Sequence, residues 1–319
     1  MVAAIVNDGG TIRLASLDVL PGSLATDPVE VELVAADIQP KDRQTARGEI
    51  RLPLPPFFVA GSQAVGRLED GSLVFVRGSI DAAGGLRDGV YAQRFVAERH
   101  WLLPLPDGLD PVLAAAGTAC LADALYALHD VGRLAPGETV LVLGSTSGVG
   151  AAAVSAALAA GHRVIAATRD PSGIAPREGL VVSGYDDLPA TVRAATDGHG
   201  ADVTVDNVGG ALTALGLRSA ARRGRHLLVG YLAGRALELT TVDLIPTEVA
   251  LTGVNSGSVP RDRQRELTAE ALELLRSGAH APGQVTVLPL AQGVEALLTD
   301  GPGRTVLLGD AYSCLDGTA

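Results

Sequence analysis

The chain has 319 residues, more than one typical domain, so two lobes are expected. Its 47% hydrophobic content is ample for a core, and its formal charge of −11 argues against nucleic acid as a partner, because phosphate binding wants a basic face. The start, MVAAIVNDGG, lacks the basic flank and cleavage pattern of a secretory leader, and no apolar run is expected to approach the ~20 residues of a membrane span. A cytoplasmic protein without membrane partners is the resulting expectation.

The N-terminal third reads as β-rich. Thr11 to Leu17 and Val29 to Ala35 look like strands separated by Pro21-Gly22. Residues 38–48, IQPKDRQTARG, break the pattern as a loop with a short helical turn. Pro53 to Pro56 forms a rigid connector before two short strands around Glu69-Asp70-Gly71, and Gly84-Gly85 and Asp88-Gly89 mark another turn. Short strands at close spacing suggest a small barrel or sandwich.

Leu109 to Val131 looks helical, and the stretch Thr139 to Asp170 organises everything after it. Val140 to Leu143 is short and apolar enough to be a buried strand. Small residues follow at Gly144-Ser145-Thr146-Ser147-Gly148-Val149-Gly150, then an Ala-rich helical segment closed by Gly161, then a second buried run from Arg163 to Thr168. That is a βαβ unit of the required ~30 residues. Small side chains at such a strand-to-helix turn let backbone N–H groups approach a pyrophosphate, with help from the helix dipole. Thr146, Ser147, Gly148, Val149 and Gly150 are therefore the candidate diphosphate cradle, although the G-x-G-x-x-G register reads Ser145-x-Ser147-x-x-Gly150.

The acidic residue that would hold a ribose 2′-hydroxyl is replaced by Thr168, followed by Arg169. Removing a carboxylate and supplying a guanidinium favours a 2′-phosphate, hence NADPH over NADH; the competing reading is that Arg169 is a solvated loop residue.

Alternation continues with strands at Leu180 to Val182, Asp202 to Asp206, His226 to Gly230 and Val249 to Val254, and helices at Leu188 to Thr196 and Ala211 to Ala221. Helices between buried strands imply a parallel, doubly wound sheet with ligand at the carboxyl ends of its strands. Asn207, Tyr231 and Asn255 stand at three such ends as candidate cofactor contacts, each also compatible with an ordinary turn. Arg261 to Arg276 is a charged amphipathic helix, and Val285 to Leu288 and Thr305 to Leu308 read as strands that return the chain to the first lobe. The expected domains are thus 1–112, 113–254 and a return over 255–319.

Lys41 is the single lysine in the chain. A Walker A loop and the Tyr-x-x-x-Lys pair of short-chain dehydrogenases both need a lysine elsewhere, so both are excluded.

The run from 105 to 150, together with GADVTVDNVGG, GRHLLVGYLAG, LTGVNSGSVPRDRQREL and GRTVLLGD in that order, resembles the medium-chain dehydrogenase/reductase superfamily, more narrowly its zinc-independent quinone oxidoreductase branch. The resemblance implies an α/β fold: a GroES-like β-rich lobe plus a Rossmann lobe with a doubly wound parallel sheet. It also implies NADPH-dependent hydride transfer to a quinone or activated alkene and a homodimer formed through an edge strand, for which Val249 to Val254 is the candidate. Zinc members carry a Gly-His-Glu ligand motif where this chain has Gly61-Ser62-Gln63, and neither Cys120 nor Cys314 falls at a ligand position, so no metal is expected. The six histidines are taken as structural or surface residues.

In the loop at 38–48 the family places Asn and often Tyr against the nicotinamide; here the matching residues are Gln39 and Gln44. Asp123 replaces a residue that is commonly Thr. Gln44 could donate to a developing oxyanion, and Asp123 could act as an acid if buried, the alternative being a helix-surface carboxylate. The expected function is reduction of an enone or quinone, with a biosynthetic tailoring role open; the alternative is an NADP(H)-binding protein that has lost turnover.

Overall fold

A computed structural model describes residues 1–22, 26–49, 55–77 and 88–313. The chain forms two units, Met1–Thr118 with Ala281–Ala319, and Ala119–His280.

In the first unit β1 (Val2–Asp8) and β2 (Thr11–Leu17) form a hairpin whose two linking glycines both have positive φ, the backbone a two-residue turn requires. The β1 strand went unread in the sequence because Val2 to Val6 is uniformly apolar, without alternation. Next come β3 (Pro28–Asp37), α1 (Pro40–Ala46), β4 (Phe57–Val59), β5 (Gln63–Arg67), β6 (Leu73–Arg77), β7 (Arg94–Glu98) and β8 (Leu102–Pro104). The expected Gly84-Gly85 turn and the first half of the proline connector lie outside the described residues.

The linking helix α2 (Pro111–Tyr126) begins in the first unit and ends in the second, continuing as a π turn to Val131. It corrects one expectation: Pro111–Val131 is long and apolar enough to cross a membrane by length and composition. However, 72% of its apolar window is buried inside the protein, as in a core helix.

The second unit contains β9 (Thr139–Leu143), α3 (Gly148–Ala159), β10 (Arg163–Ala167), β11 (Leu180–Ser183), α4 (Leu188–Ala195), β12 (Ala201–Asp206), α5 (Leu212–Arg218), β13 (Ala220–Leu228), α6 (Thr241–Leu244), β14 (Ala250–Gly253) and α7 (Arg261–Arg276). Its strands lie in the order β11-β10-β9-β12-β13-β14, all parallel. This is the doubly wound Rossmann order, and the direction of winding reverses between β9 and β12. The helix expected over 211–221 is shorter at its end, because Ala220 already pairs with Ala201 and starts β13.

After the second unit the chain supplies β15 (Val285–Pro289), α8 (Gly293–Leu298) and β16 (Arg304–Leu308). These complete a seven-stranded sheet in the first unit, β15-β16-β3-β5-β6-β8 with β7 also on β3, beside the three-stranded sheet β2-β1-β4. Ile5, Leu33, Tyr91, Phe95 and Leu307 are packed in its core. The return therefore begins at Ala281, not at 255. Two contacts hold the intervening segment in the second unit: the Arg263 guanidinium on Asp130 at 2.8 Å, and His280 Nδ1 with Ser155 Oγ at 3.1 Å.

Candidate functional site

The turn from β9 into α3 is set by contacts its small residues make possible. Gly144 N–H donates to the Ala167 carbonyl at 3.0 Å, and Ser145 N–H to the same oxygen at 3.1 Å. Ser147 caps α3, its Oγ accepting from Gly150 N–H at 3.1 Å. A Cβ at Gly150 would stand 2.1 Å from the Gly144 carbonyl oxygen, so only glycine lets the helix close on the strand this tightly. Gly148 and Val149 open the helix, and their N–H groups have no intrahelical carbonyl to bond. A helix N-terminus so presented at the carboxyl end of a central strand fits a diphosphate.

At the end of β10, the Thr146 and Thr168 hydroxyls lie 3.3 Å apart, Thr168 buried and Arg169 beside it exposed. Tyr185, in the loop after β11, takes the Gly144 N–H on its hydroxyl at 3.0 Å and donates to the Ala167 carbonyl at 3.3 Å. Burial chiefly pushes the Tyr185 hydroxyl above its ordinary pKa, with the Asp206 charge in the same direction and the Arg169 charge opposing. The phenol is thus a neutral hydrogen-bonding group. Tyr185 was missed in the sequence, where a tyrosine two residues past a strand gives no signal.

At the neighbouring strand end, Asn207 is buried and its side-chain amide donates to the Leu143 carbonyl at 3.4 Å, which ties β12 to β9 at the point of reversal. Just before it, Asp206 is fully buried. Its Oδ1 accepts the N–H groups of Val208 and Gly209, each at 2.9 Å, and its Oδ2 accepts from Thr213 Oγ1 at 2.7 Å and from His226 Nε2 at 3.0 Å. Burial would raise this carboxyl, but His226, Gly209 N–H and Thr213 outweigh it and hold the pKa below its ordinary value. Tyr231 is exposed in the loop after β13, with Arg235 over its ring at 5.4 Å. Asn255, also exposed, accepts Gly257 N–H on its own Oδ1 at 3.1 Å. The structure thus gathers Thr146 to Gly150, Thr168, Arg169 and Asn207 about β9, β10 and β12, and sets Tyr231 and Asn255 in the loops after β13 and β14.

The two candidate catalytic residues belong to different units. Gln44 is half-buried on α1, where its carbonyl accepts Glu49 N–H at 2.8 Å, and Asp123 is half-buried on α2. In the first unit, Ser62 and Gln63, which stand where zinc members carry His and Glu, turn inward: Ser62 Oγ donates to Asp42 Oδ1, and Gln63 Nε2 to the Ala115 carbonyl at 3.1 Å. Asp42 also accepts from Tyr91 Oη at 2.7 Å and from Gln39 N–H at 3.0 Å. Gln39 Nε2 donates to Asp37, which pairs with Arg304. A hydroxyl and an amide are poor zinc donors.

Comparison with known proteins places this architecture. A family model described as zinc-binding dehydrogenase matches residues 148–277, which lie within the second unit. The quinone oxidoreductase of Thermus thermophilus, solved also as a complex with NADPH, is 28% identical with a TM-score of 0.75, covering 96% of this chain and 99% of that one. Phthioceranic/hydroxyphthioceranic acid synthase of Mycobacterium tuberculosis is 31% identical over 242 residues, 69% of this chain and 11% of the synthase. The fungal highly reducing polyketide synthase phiA is 25% identical over 299 residues, 88% of this chain and 11% of that one. The chain therefore spans about a tenth of the length of these curated relatives.

The fold and these likenesses are those of an oxidoreductase of the medium-chain dehydrogenase/reductase superfamily. Within the superfamily its structural neighbours are consistent with the quinone oxidoreductase-like branch.

Proposed function

We propose that the chain binds NADPH and reduces a carbon–carbon double bond conjugated to a carbonyl, or a quinone, as a small-molecule enzyme. The observation that carries this reading is the end of β10: Thr168, its hydroxyl 3.3 Å from that of Thr146, stands where a ribose-binding carboxylate would, and the exposed Arg169 follows it. Likeness to a quinone oxidoreductase solved with NADPH supports the coenzyme, and likeness to polyketide synthases, one described as highly reducing, supports an enoyl substrate in a biosynthetic pathway.

In this reading the coenzyme, when bound, supplies hydride, and the chain's residues hold and orient the reactants. The Gly148 and Val149 N–H groups face the diphosphate, Arg169 pairs with the 2′-phosphate, and Asn207, Tyr231 and Asn255 border the remainder. Gln44 donates to the substrate oxygen as negative charge grows there. Asp123 or water returns the proton. The net charge of −11 fits a cytoplasmic role without nucleic-acid or membrane partners. β14, at the edge of its sheet, is the surface through which we expect a homodimer, to be checked by sedimentation.

Titration of the protein with NADPH and NADH tests the coenzyme. NADPH should bind more tightly, and Arg169→Ala should reduce that preference by about 10- to 100-fold, the worth of a lost charge-assisted phosphate contact. Equal affinity for both coenzymes in the unaltered protein would refute it.

A second reading, an NADP(H)-binding protein without turnover, is favoured by one observation: the Gln39 amide, at a position where the family presents Asn to the nicotinamide, donates instead to Asp37. NADPH binding without oxidation across a panel of enones, enoyl thioesters and quinones would select it.

A further inference from the structure

The carboxyl end of β12 carries a buried arrangement that the family resemblance does not explain. Asp206 receives four backbone N–H groups: Val208 and Gly209 on its side chain, and Val229 and Gly230 on its main-chain carbonyl at 2.8 and 3.1 Å. It therefore ties together the two loops that hold Asn207 and Tyr231. The loops also bond to each other, Ala233 N–H donating to the Val208 carbonyl at 2.8 Å.

Behind Asp206 stands His226 on β13, with no accessible surface. Its Nε2 lies 3.0 Å from Asp206 Oδ2, while its Nδ1 is buried without a hydrogen-bond partner among the described residues. Because a carboxylate only accepts, Nε2 carries the proton of this contact. The ring has space because residue 216 is glycine: a Cβ there would come within 2.5 Å of His226 Cε1. Thr213 Oγ1, donating to the same Oδ2, completes the shell. A leucine at 226 would satisfy the sheet equally well, so a fully buried imidazole with one idle nitrogen asks for a role beyond packing.

We propose that His226 is a positioning residue. By donating from Nε2 to Asp206 it fixes the carboxylate rotamer that arranges the loops at 207–210 and 229–233 for the nicotinamide half of the coenzyme. The inference rests on the coenzyme reading above, since it concerns the same strand ends. It separates binding from chemistry: loosening the loops weakens the coenzyme complex, and the hydride step, once the complex has formed, changes little.

The test compares His226→Phe, which fills the space without a donor, with His226→Gln, whose Nε2–H reaches the same place. Loss of a hydrogen bond to a buried charge should raise the NADPH dissociation constant and KM about tenfold or more in H226F, with kcat within about twofold and with H226Q close to the unaltered protein. H226F binding NADPH like the unaltered protein, or H226F and H226Q losing affinity equally, would overturn the proposal. Should H226F fail to fold, nitrogen NMR of the imidazole in the unaltered protein decides: a protonated Nε2 supports the contact and a bare Nε2 refutes it. Absence of NADPH binding in the unaltered protein would instead sink the coenzyme reading, and the imidazole spectrum would still settle the contact to Asp206.

Discussion

Each unit ends one of its strands in a wholly buried aspartate, Asp37 in β3 and Asp206 in β12, and the two carboxyls behave oppositely. Asp206 has partners on both oxygens: two backbone N–H groups on one, an imidazole and a hydroxyl on the other. Its pKa is held below the ordinary value. Asp37 has Gln39 and Arg304 on Oδ2, and its Oδ1 has no hydrogen-bond partner among the described residues. Burial pushes Asp37 up to about 7, against the Arg304 charge and with the help of the Asp42 charge. Two inaccessible carboxyls are thus shifted in opposite directions, and the four donors on Asp206 outweigh its burial where the two on Asp37 do not. In the second unit two of the four donors to the Asp206 side chain are backbone groups of the loop after β12, so the carboxylate is held by bonds that also shape that loop.

The comparison breaks most severely where the second unit's backbone is forced. Gly150→Ala would put a methyl 2.1 Å from a carbonyl oxygen that belongs to the turn itself. Either α3 moves off β9 or the turn opens, and in both cases the first helical N–H groups leave the place proposed for the diphosphate. NADPH affinity should fall at least about 100-fold, as seen by fluorescence titration, because positioning and dipole contributions are lost together. Affinity within about threefold would mean the coenzyme does not rest on this turn.

The pH dependence sharpens the same comparison. Asp37 titrates at about 7 in the folded chain against 3.8 ordinarily, so between those values the folded state holds a proton the unfolded state has released. Its effect is stability that falls as pH rises from about 4 to 7 and levels off above. His280 in the second unit runs the other way, burial chiefly lowering it to about 4 from 6.5, with the Arg177 charge adding to that. There the unfolded state holds the extra proton, so stability rises with pH over about 4 to 6.5. Melting temperatures of Asp37→Asn and His280→Gln across pH 4 to 8, each subtracted from the unaltered protein, should show slopes of opposite sign. Parallel slopes would remove the contrast.

What could be read in the sequence follows from how local its cause was. The βαβ unit, the strands at 180–182 and 202–206 and the helix over 261–276 were legible because short apolar runs, alanine-rich helix and punctuating glycines act within a few residues. The strand-to-helix turn from Thr146 to Gly150 was legible for the same reason. Asp206, His226 and Tyr185 were not: Asp206 read as one more strand-end residue, and its importance lies in a histidine twenty positions later on the adjacent strand. The boundary of the second unit was misplaced because what keeps residues 255–280 there is the Arg263–Asp130 pair and the His280–Ser155 contact, both long-range. The apolar length of α2 was underestimated because scattered threonine, cysteine and aspartate hide it from inspection, although the helix as a whole remains largely apolar.

The smallest effect separates two roles for one hydroxyl. Ser147 Oγ accepts Gly150 N–H, so Ser147→Ala removes an N-cap worth about 1 kcal/mol, and should lower the melting temperature by roughly 2–4 °C. As a cap alone, the serine would leave NADPH affinity within about threefold, since the Gly148 and Val149 N–H groups remain and the freed Gly150 N–H adds a donor at the same helix end. A tenfold or larger loss of affinity at that modest cost in stability would mean that the hydroxyl itself touches the diphosphate. The second unit would then bind its ligand with side chains as well as backbone, and the contrast with the side-chain network around Asp37 would narrow.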